Sequence, residues 1–191
     1  TTYGESIKRS KKLANALKKL GVNVHDRVAT IAWNNSRHFE TYFAVSGMGA
    51  ILHTLNPRYS PDQLIYILNH AEDSVLIVDP TFIPLVESVQ DKLDTVETII
   101  IASAKDSIPE NNLKNVFSYE ELLKDELDEY NWPQLNENDA ASLCYTSGTT
   151  GNPKGVLYSH RSTVLHAISI AGTMGFESVS YTHLTLPTIS S

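Results

Sequence analysis

The stretch from Tyr145 to Gly155, YTSGTTGNPKG, gathers three glycines, four serine or threonine hydroxyls and one lysine, with no acid and no aliphatic side chain. These residue types suit phosphate. Gly148, Gly151 and Gly155 permit positive φ and let the backbone come close to a ligand. Successive backbone N–H groups in such a turn form a nest for anions. The hydroxyls of Thr146, Ser147, Thr149 and Thr150 add donors and can ligate a hard cation such as Mg2+. Lys154 supplies a mobile point charge for oxygens that gain negative charge during a transfer. Pro153 stiffens the exit. The Walker pattern G-x-x-x-x-G-K-S/T does not fit, because Lys154 follows Pro153 and Gly155 stands where a hydroxyl belongs. A Gly/Thr-rich hairpin turn is the bland alternative, and for a bare Gly-Thr-Thr-Gly it would be preferred.

The string needs elements to hold it. AASLCYTS (140–147) reads as a strand entering it and GVLYS (155–159) as a short strand leaving it, with Ser159 capping a last helix to about Ile170. Upstream, strand and helix alternate. Thr2 and Glu5 have capping-box spacing, and Ile7, Leu13, Ala14, Leu17 and Leu20 follow at helical intervals up to Gly21. RVATIAW (27–33), ILHTL (51–55), SVLIVD (74–79) and ETIIIAS (97–103) read as strands. Helices are expected over 38–50, over 60–70 from the Ser60-Pro61-Asp62-Gln63 box, and over 83–93. Continuous apolar strands rather than alternating ones predict an α/β fold with a mostly parallel sheet flanked by helices. Residues 104–138 read as a polar connection with eight acids between Glu110 and Glu137 and one short helix at Tyr119–Lys124.

Composition narrows the classes further. With 191 residues, 41% of them apolar, the chain can bury a core, and a net charge of −7 speaks against nucleic acid as a partner. The basic residues Lys8, Arg9, Lys11, Lys12, Lys18 and Lys19 and the acidic run both read as solvated faces. The single cysteine, Cys144, cannot form an internal disulfide, which fits a reducing cytoplasm. No apolar run approaches the roughly 18 residues of a membrane span. A cytoplasmic location is expected, with peripheral membrane association as its variant.

Thr146 to Gly155 match S/T-S/T-G-S/T-T-G-x-P-K-G at all ten positions. That pattern is the phosphate-loop signature of the adenylate-forming (AMP-binding) superfamily of acyl-CoA synthetases, luciferases and peptide-synthetase adenylation domains, and the chain resembles that superfamily. TYGE (2–5), DRVATIAWNNS (26–36), GAILHTLNPR (49–58) and ILNHAEDSVLIVD (67–79) share the likeness, which covers residues 1–178. HTLNPR with VLYSHRSTVLH (156–166) is most similar to medium- and long-chain fatty acid–CoA ligases, and ligases for short methylthio-acids look almost the same here.

The resemblance implies an N-terminal part of the large domain, with ATP, Mg2+, CoA and a fatty acid as the small molecules handled by the complete protein. It implies that Thr146, Ser147, Gly148, Thr149, Thr150, Gly151 and Lys154 embrace the β- and γ-phosphates. By the same resemblance Thr146 is a Mg2+ ligand, and the complete protein is a candidate homodimer. The superfamily's later motifs are not in the sequence: a magnesium-holding glutamate, a ribose-binding aspartate, a hinge and a catalytic lysine. The chain is therefore expected to be a piece of an enzyme and inactive alone. The competing expectation is a non-catalytic nucleotide- or partner-binding module, or a ligase of another adenylate-forming subfamily. Residues 179–191 are expected to be non-native, because VSYTHLTLPT (179–188) back-translates into a DNA-library adapter.

Other chemistry-bearing residues carry weaker expectations. The seven histidines show no tight metal-binding spacing. His53 and Arg58 are expected in satisfied structural roles, with a dimer contact or acyl tunnel as the family-based alternative. Cys144 is expected to be a buried, inert thiol, Tyr145 to pack under the loop, and Asp139 to end the polar connection.

Overall fold

A computed structural model of the chain describes residues 1–146 and 152–174. Its strands are β1 (Arg27–Ile31), β2 (Ile51–Thr54), β3 (Asp73–Val78), β4 (Thr98–Ile101), β5 (Val116–Ser118), β6 (Ala140–Thr146) and β7 (Lys154–Ser159). Its helices are α1 (Tyr3–Lys19), α2 (Ser36–Gly47), α3 (Pro61–Ala71), α4 (Ile83–Glu87), α5 (Tyr119–Lys124) and α6 (His160–Met174). The strands form one sheet in the order β5-β4-β3-β1-β2-β6-β7. Every neighbouring pair is parallel except β6 and β7, which are antiparallel. The α/β expectation with a mostly parallel sheet agrees with this architecture.

Side chains alternate across each strand, and both faces of the central strands are covered, while β7 at the edge is largely exposed. Val28, Leu52, Val75, Ile77 and Ile100 meet Leu13, Leu17, Ala44, Val45, Tyr119 and Leu123 of α1, α2 and α5. Ala29, Ile31, Leu76, Val78, Ile99 and Ile101 meet Leu64, Ile67, Leu68, Ile83 and Val86 of α3 and α4 on the other face. This two-sided burial is why the central strands read as continuous apolar runs.

Both expected capping boxes form. The Thr2 side chain accepts from the Glu5 amide while Glu5 reaches back to the Thr2 amide, and Ser60 and Gln63 do the same. Gly49, at φ +90°, closes α2: its amide donates to Ser46 O and the Ala50 amide to Val45 O.

Four differences from expectation have physical reasons. Ile7 is exposed, and Ser6 and Ser10 take the buried stripe in the first turns of α1, because the Ser10 hydroxyl bonds the Ser6 and Glu40 carbonyls. α2 starts two residues early because Asn35, just beyond the strand expected over 27–33, caps it by accepting from the His38 amide. The helix expected over 83–93 is only Ile83–Glu87 between two 3-10 turns; the Ser88 hydroxyl bonds Leu85 O at 2.6 Å and competes with helix continuation. Within 104–138, β5 pairs with β4 at the sheet edge, a strand of three residues that its polar surroundings conceal. The helix at Tyr119–Lys124 falls where expected.

The two charged stretches expected to be solvated face each other instead. Lys8 lies 3.4 Å from Asp128 and Lys19 2.7 Å from Glu126. Between them a partly buried network ties α1, α2 and α5 together. Arg9 Nε bonds Glu40 Oε1 at 2.8 Å, and its other nitrogens grip both oxygens of Glu120 at 3.0 Å. Arg37 Nε adds a 2.7 Å bond to Glu120, and the Tyr119 phenol donates to Glu40 at 2.8 Å. Burial pushes the Glu120 carboxyl up, but the bonds from Arg9 and then Arg37 outweigh it and hold the group below its ordinary range. A carboxyl lowered on folding contributes stability above its unfolded pKa and loses it as pH falls through the lowered value. Urea midpoints should therefore fall between pH 6 and pH 3, and the fall should be smaller in Glu120→Gln. An equal fall in both proteins would contradict the assignment.

Candidate active site

In open α/β sheets, ligands bind off the carboxyl ends of the strands. β6 runs parallel to β2, with Leu52 opposite Ser142, His53 opposite Leu143 and Thr54 opposite Cys144. Its last residue, Thr146, therefore leaves the sheet at that carboxyl edge. The chain returns as β7, with Tyr145 opposite Gly155 and Thr146 opposite Lys154. The glycine-rich string thus begins on β6 and ends on the antiparallel β7, at the edge where ligands are normally taken. Ser147, Gly148, Thr149, Thr150 and Gly151 lie outside the described residues. Thr146 and Lys154 are described, both are exposed, and the pairing brings them side by side. Among the described residues, the Thr146 hydroxyl makes one long contact, 3.5 Å to Lys154 O. Pro153, just before Lys154, is buried and seats the returning strand.

Behind the turn, Tyr145 does not lie loose. The Tyr59 phenol donates to its carbonyl at 2.9 Å, and its own phenol is 2.6 Å from His70 Nδ1. Burial, reinforced by the negative charge of Asp73, pushes the Tyr145 phenol up to about 12. It is therefore protonated at neutral pH and shares this hydrogen bond with His70 as a neutral phenol. Gly155 lies close opposite: a Cβ there would sit 3.2 Å from both Leu143 Cδ1 and Tyr145 Cζ, so either side chain would have to shift slightly.

His53 is fully buried and its Nδ1 lies 2.7 Å from Asp73 Oδ2. Burial pushes the Asp73 carboxyl up, partly offset by His53 and Arg27. The expectation of a satisfied His53 holds only on one side of its ring: Nε2, like Asp73 Oδ1, has no hydrogen-bond partner among the described residues. Arg58 is exposed, and its amide is held by the Asn56 side chain. Cys144 is half-buried rather than buried, with its Sγ 3.3 Å from the Thr54 hydroxyl. The Asp139 carbonyl accepts the His160 amide at 3.1 Å and so anchors the start of α6. Tyr59, His70 and Asp73 escaped the sequence reading as neighbours of the string; they come from three other elements, and no local spacing announces them.

A mostly parallel sheet with this glycine- and hydroxyl-rich string at its carboxyl edge defines an α/β domain of the kind that binds ligands there. The chain matches the family described as AMP-binding enzyme over residues 1–188. It belongs to that family. It is 50% identical over 163 residues to a medium-chain-fatty-acid–CoA ligase of Ectopseudomonas oleovorans, covering 85% of this chain and 30% of the relative. It is 47% identical over 169 residues to a 3-methylmercaptopropionyl-CoA ligase of Ruegeria lacuscaerulensis, covering 88% of this chain and 31% of the relative. The chain thus spans about a third of the length of these curated relatives. Among solved structures, the anthranilate CoA ligase AuaEII in complex with anthranoyl-AMP superposes with a TM-score of 0.80 at 28% identity, over 88% of this chain and 31% of that one. Among the described residues, no helix is long and apolar enough to cross a membrane.

Proposed function

We propose that this chain carries the triphosphate-gripping part of an ATP-dependent acyl-CoA ligase acting on a fatty acid. The observation that carries the proposal is the ten-residue string Thr146–Gly155, which starts at the end of β6 and finishes on β7 at the carboxyl edge of a mostly parallel sheet. In this reading Thr146, Ser147, Gly148, Thr149, Thr150, Gly151 and Lys154 hold the β- and γ-phosphates of ATP. A carboxylate oxygen attacks the α-phosphorus, the bond to the bridging oxygen breaks, and pyrophosphate leaves with that electron pair. The acyl-AMP then yields its acyl group to the CoA thiolate, and AMP departs. The first step brings two anions together and builds charge on pyrophosphate, which is where backbone donors, hydroxyls and the Lys154 ammonium act. Mg2+ takes oxygen ligands and keeps several waters, so the exposed Thr146 hydroxyl suits it as one ligand. When bound it neutralises phosphate charge.

Relatives named for medium-chain fatty acids and for 3-methylmercaptopropionate stand at nearly equal identity, which favours a second substrate reading. A polypeptide extended to the length of the curated relatives should form acyl-CoA, AMP and pyrophosphate from ATP, CoA and fatty acids, with 3-methylthiopropionate used less well. Preference for the methylthio-acid would select the second reading. Nucleotide binding without any carboxylate-dependent pyrophosphate release would leave only a non-catalytic module.

A further inference from the structure

Tyr145 has more anchors than a strand residue in a hairpin requires. Its carbonyl is held from the turn after β2 by Tyr59, and its phenol is held from α3 by His70. Its ring lies 5.2 Å from the His53 ring on β2 and edge-on to His70 at 5.9 Å. His53 is itself fixed by Asp73 at the start of β3. Across the hairpin, Gly155 leaves the space that the ring occupies. These restraints converge on the residue immediately before Thr146, and none of them involves the turn itself. A hairpin that only reversed the chain would need none of them.

We propose that Tyr145 is a positioning residue: clamped by Tyr59 and His70 and backed by the His53–Asp73 pair, it fixes the direction in which β6 delivers Thr146 opposite Lys154, so that both meet the triphosphate of ATP. The proposal rests on the ATP-dependent reading above and deepens it. Tyr145 touches no reacting atom and acts through the placement of its neighbours. Its hydroxyl–His70 bond is the separable part. Asparagine at position 70 can present an amide oxygen or an amide N–H in place of Nδ1, whereas alanine presents neither.

Two measurements test this. The first uses the 191-residue chain and follows amide hydrogen exchange across the paired ends of β6 and β7. Tyr145→Phe and His70→Ala should each speed exchange about fivefold, the scale of one lost net hydrogen bond. His70→Asn should restore it. The second uses the polypeptide extended to the length of the relatives. Tyr145→Phe and His70→Ala should raise KM for ATP about fivefold while KM for the acid and for CoA stays within about twofold, and His70→Asn should recover the ATP value. An unchanged ATP KM, an equal rise for all three substrates, or His70→Asn behaving as His70→Ala would overturn the proposal. If Tyr145→Phe proves insoluble, His70→Ala decides alone, because His70 is exposed. If the wild-type polypeptide shows no carboxylate-dependent turnover, the ATP reading fails instead. Unchanged amide exchange would then still overturn the clamp, and faster exchange would sustain it.

Discussion

In a polypeptide extended to the length of the curated relatives, Lys154→Ala is expected to slow carboxylate-dependent ATP–pyrophosphate exchange about a hundredfold, the scale on which one preorganised electrostatic contact acts in a transition state. The side chain stands exposed at the first residue of β7, directly across from Thr146. It supports no core packing, so the variant should unfold at the wild-type urea concentration. That separation matters: a variant that lost both activity and stability would say nothing about charge. Thr150→Ala removes one neutral donor and should cost about tenfold, less than the loss of a full charge. Arginine at 154 should not restore the rate fully, because its planar fork presents charge differently from a compact ammonium. Exchange within about threefold of wild type in Lys154→Ala would remove Lys154 from the chemistry.

The second large effect concerns stability. Arg9→Met keeps the aliphatic stem but leaves Glu40, whose side chain is wholly buried, without its cation. Removing one partner of a buried ion pair costs about 3 kcal/mol, because a buried carboxylate is then uncompensated. For a domain of this size that corresponds to a fall in Tm of roughly 10 °C. Tyr119→Phe removes only the 2.8 Å phenol bond to Glu40 and should cost about 1–2 kcal/mol. Lys19→Ala breaks an ion pair whose lysine side chain is 70% exposed, and it should change stability by less than about 0.5 kcal/mol. Thermal or urea unfolding of the three variants gives the ranking. If Arg9→Met fell no further than Lys19→Ala, the network would be ornament on the surface rather than a tie between α1, α2 and α5.

What the sequence made legible was local. Capping boxes at Thr2 and Ser60 set two helix starts, because side chain and backbone meet within three residues. β-branched runs such as Val28–Ile31 and Val75–Val78 announced a sheet buried on both faces. The strands that enter and leave the 145–155 string followed from the apolar segments on either side of it. What stayed hidden was non-local. Arg9 and Glu120 are 111 positions apart, and each alone looks like a surface charge. His53 and Asp73 are 20 apart, and only the parallel placement of β2 and β3 beside β1 brings them together. β5 is a strand because β4 offers it an open edge; three residues in polar company carry too little pattern to show it. α4 is shorter than its periodicity predicts, because periodicity does not register a serine hydroxyl taking a carbonyl from the helix.

The same division runs through the candidate site. Thr146 and Lys154 were legible because the residue types of a phosphate-binding turn lie consecutively in the chain. The clamp behind them was not, since Tyr59, His70 and Asp73 come from a turn, a helix and a strand whose meeting point is a property of the fold. Cys144, read as an inert thiol, sits half-exposed beside Thr54, because β6 lies next to the last residues of β2 at the sheet's carboxyl edge.

The central claim is that this hairpin serves attack of a carboxylate on the α-phosphorus of ATP. It is tested most directly with a fatty acid carrying 18O in both carboxylate oxygens, given to the extended polypeptide with ATP and CoA. Attack at the α-phosphorus followed by thiolysis at the acyl carbon must leave one labelled oxygen on each AMP formed, and mass spectrometry of the AMP should find it. ADP with the label in inorganic phosphate, or unlabelled AMP with the label in pyrophosphate, would mean transfer of a different phosphoryl group and would contradict the assignment.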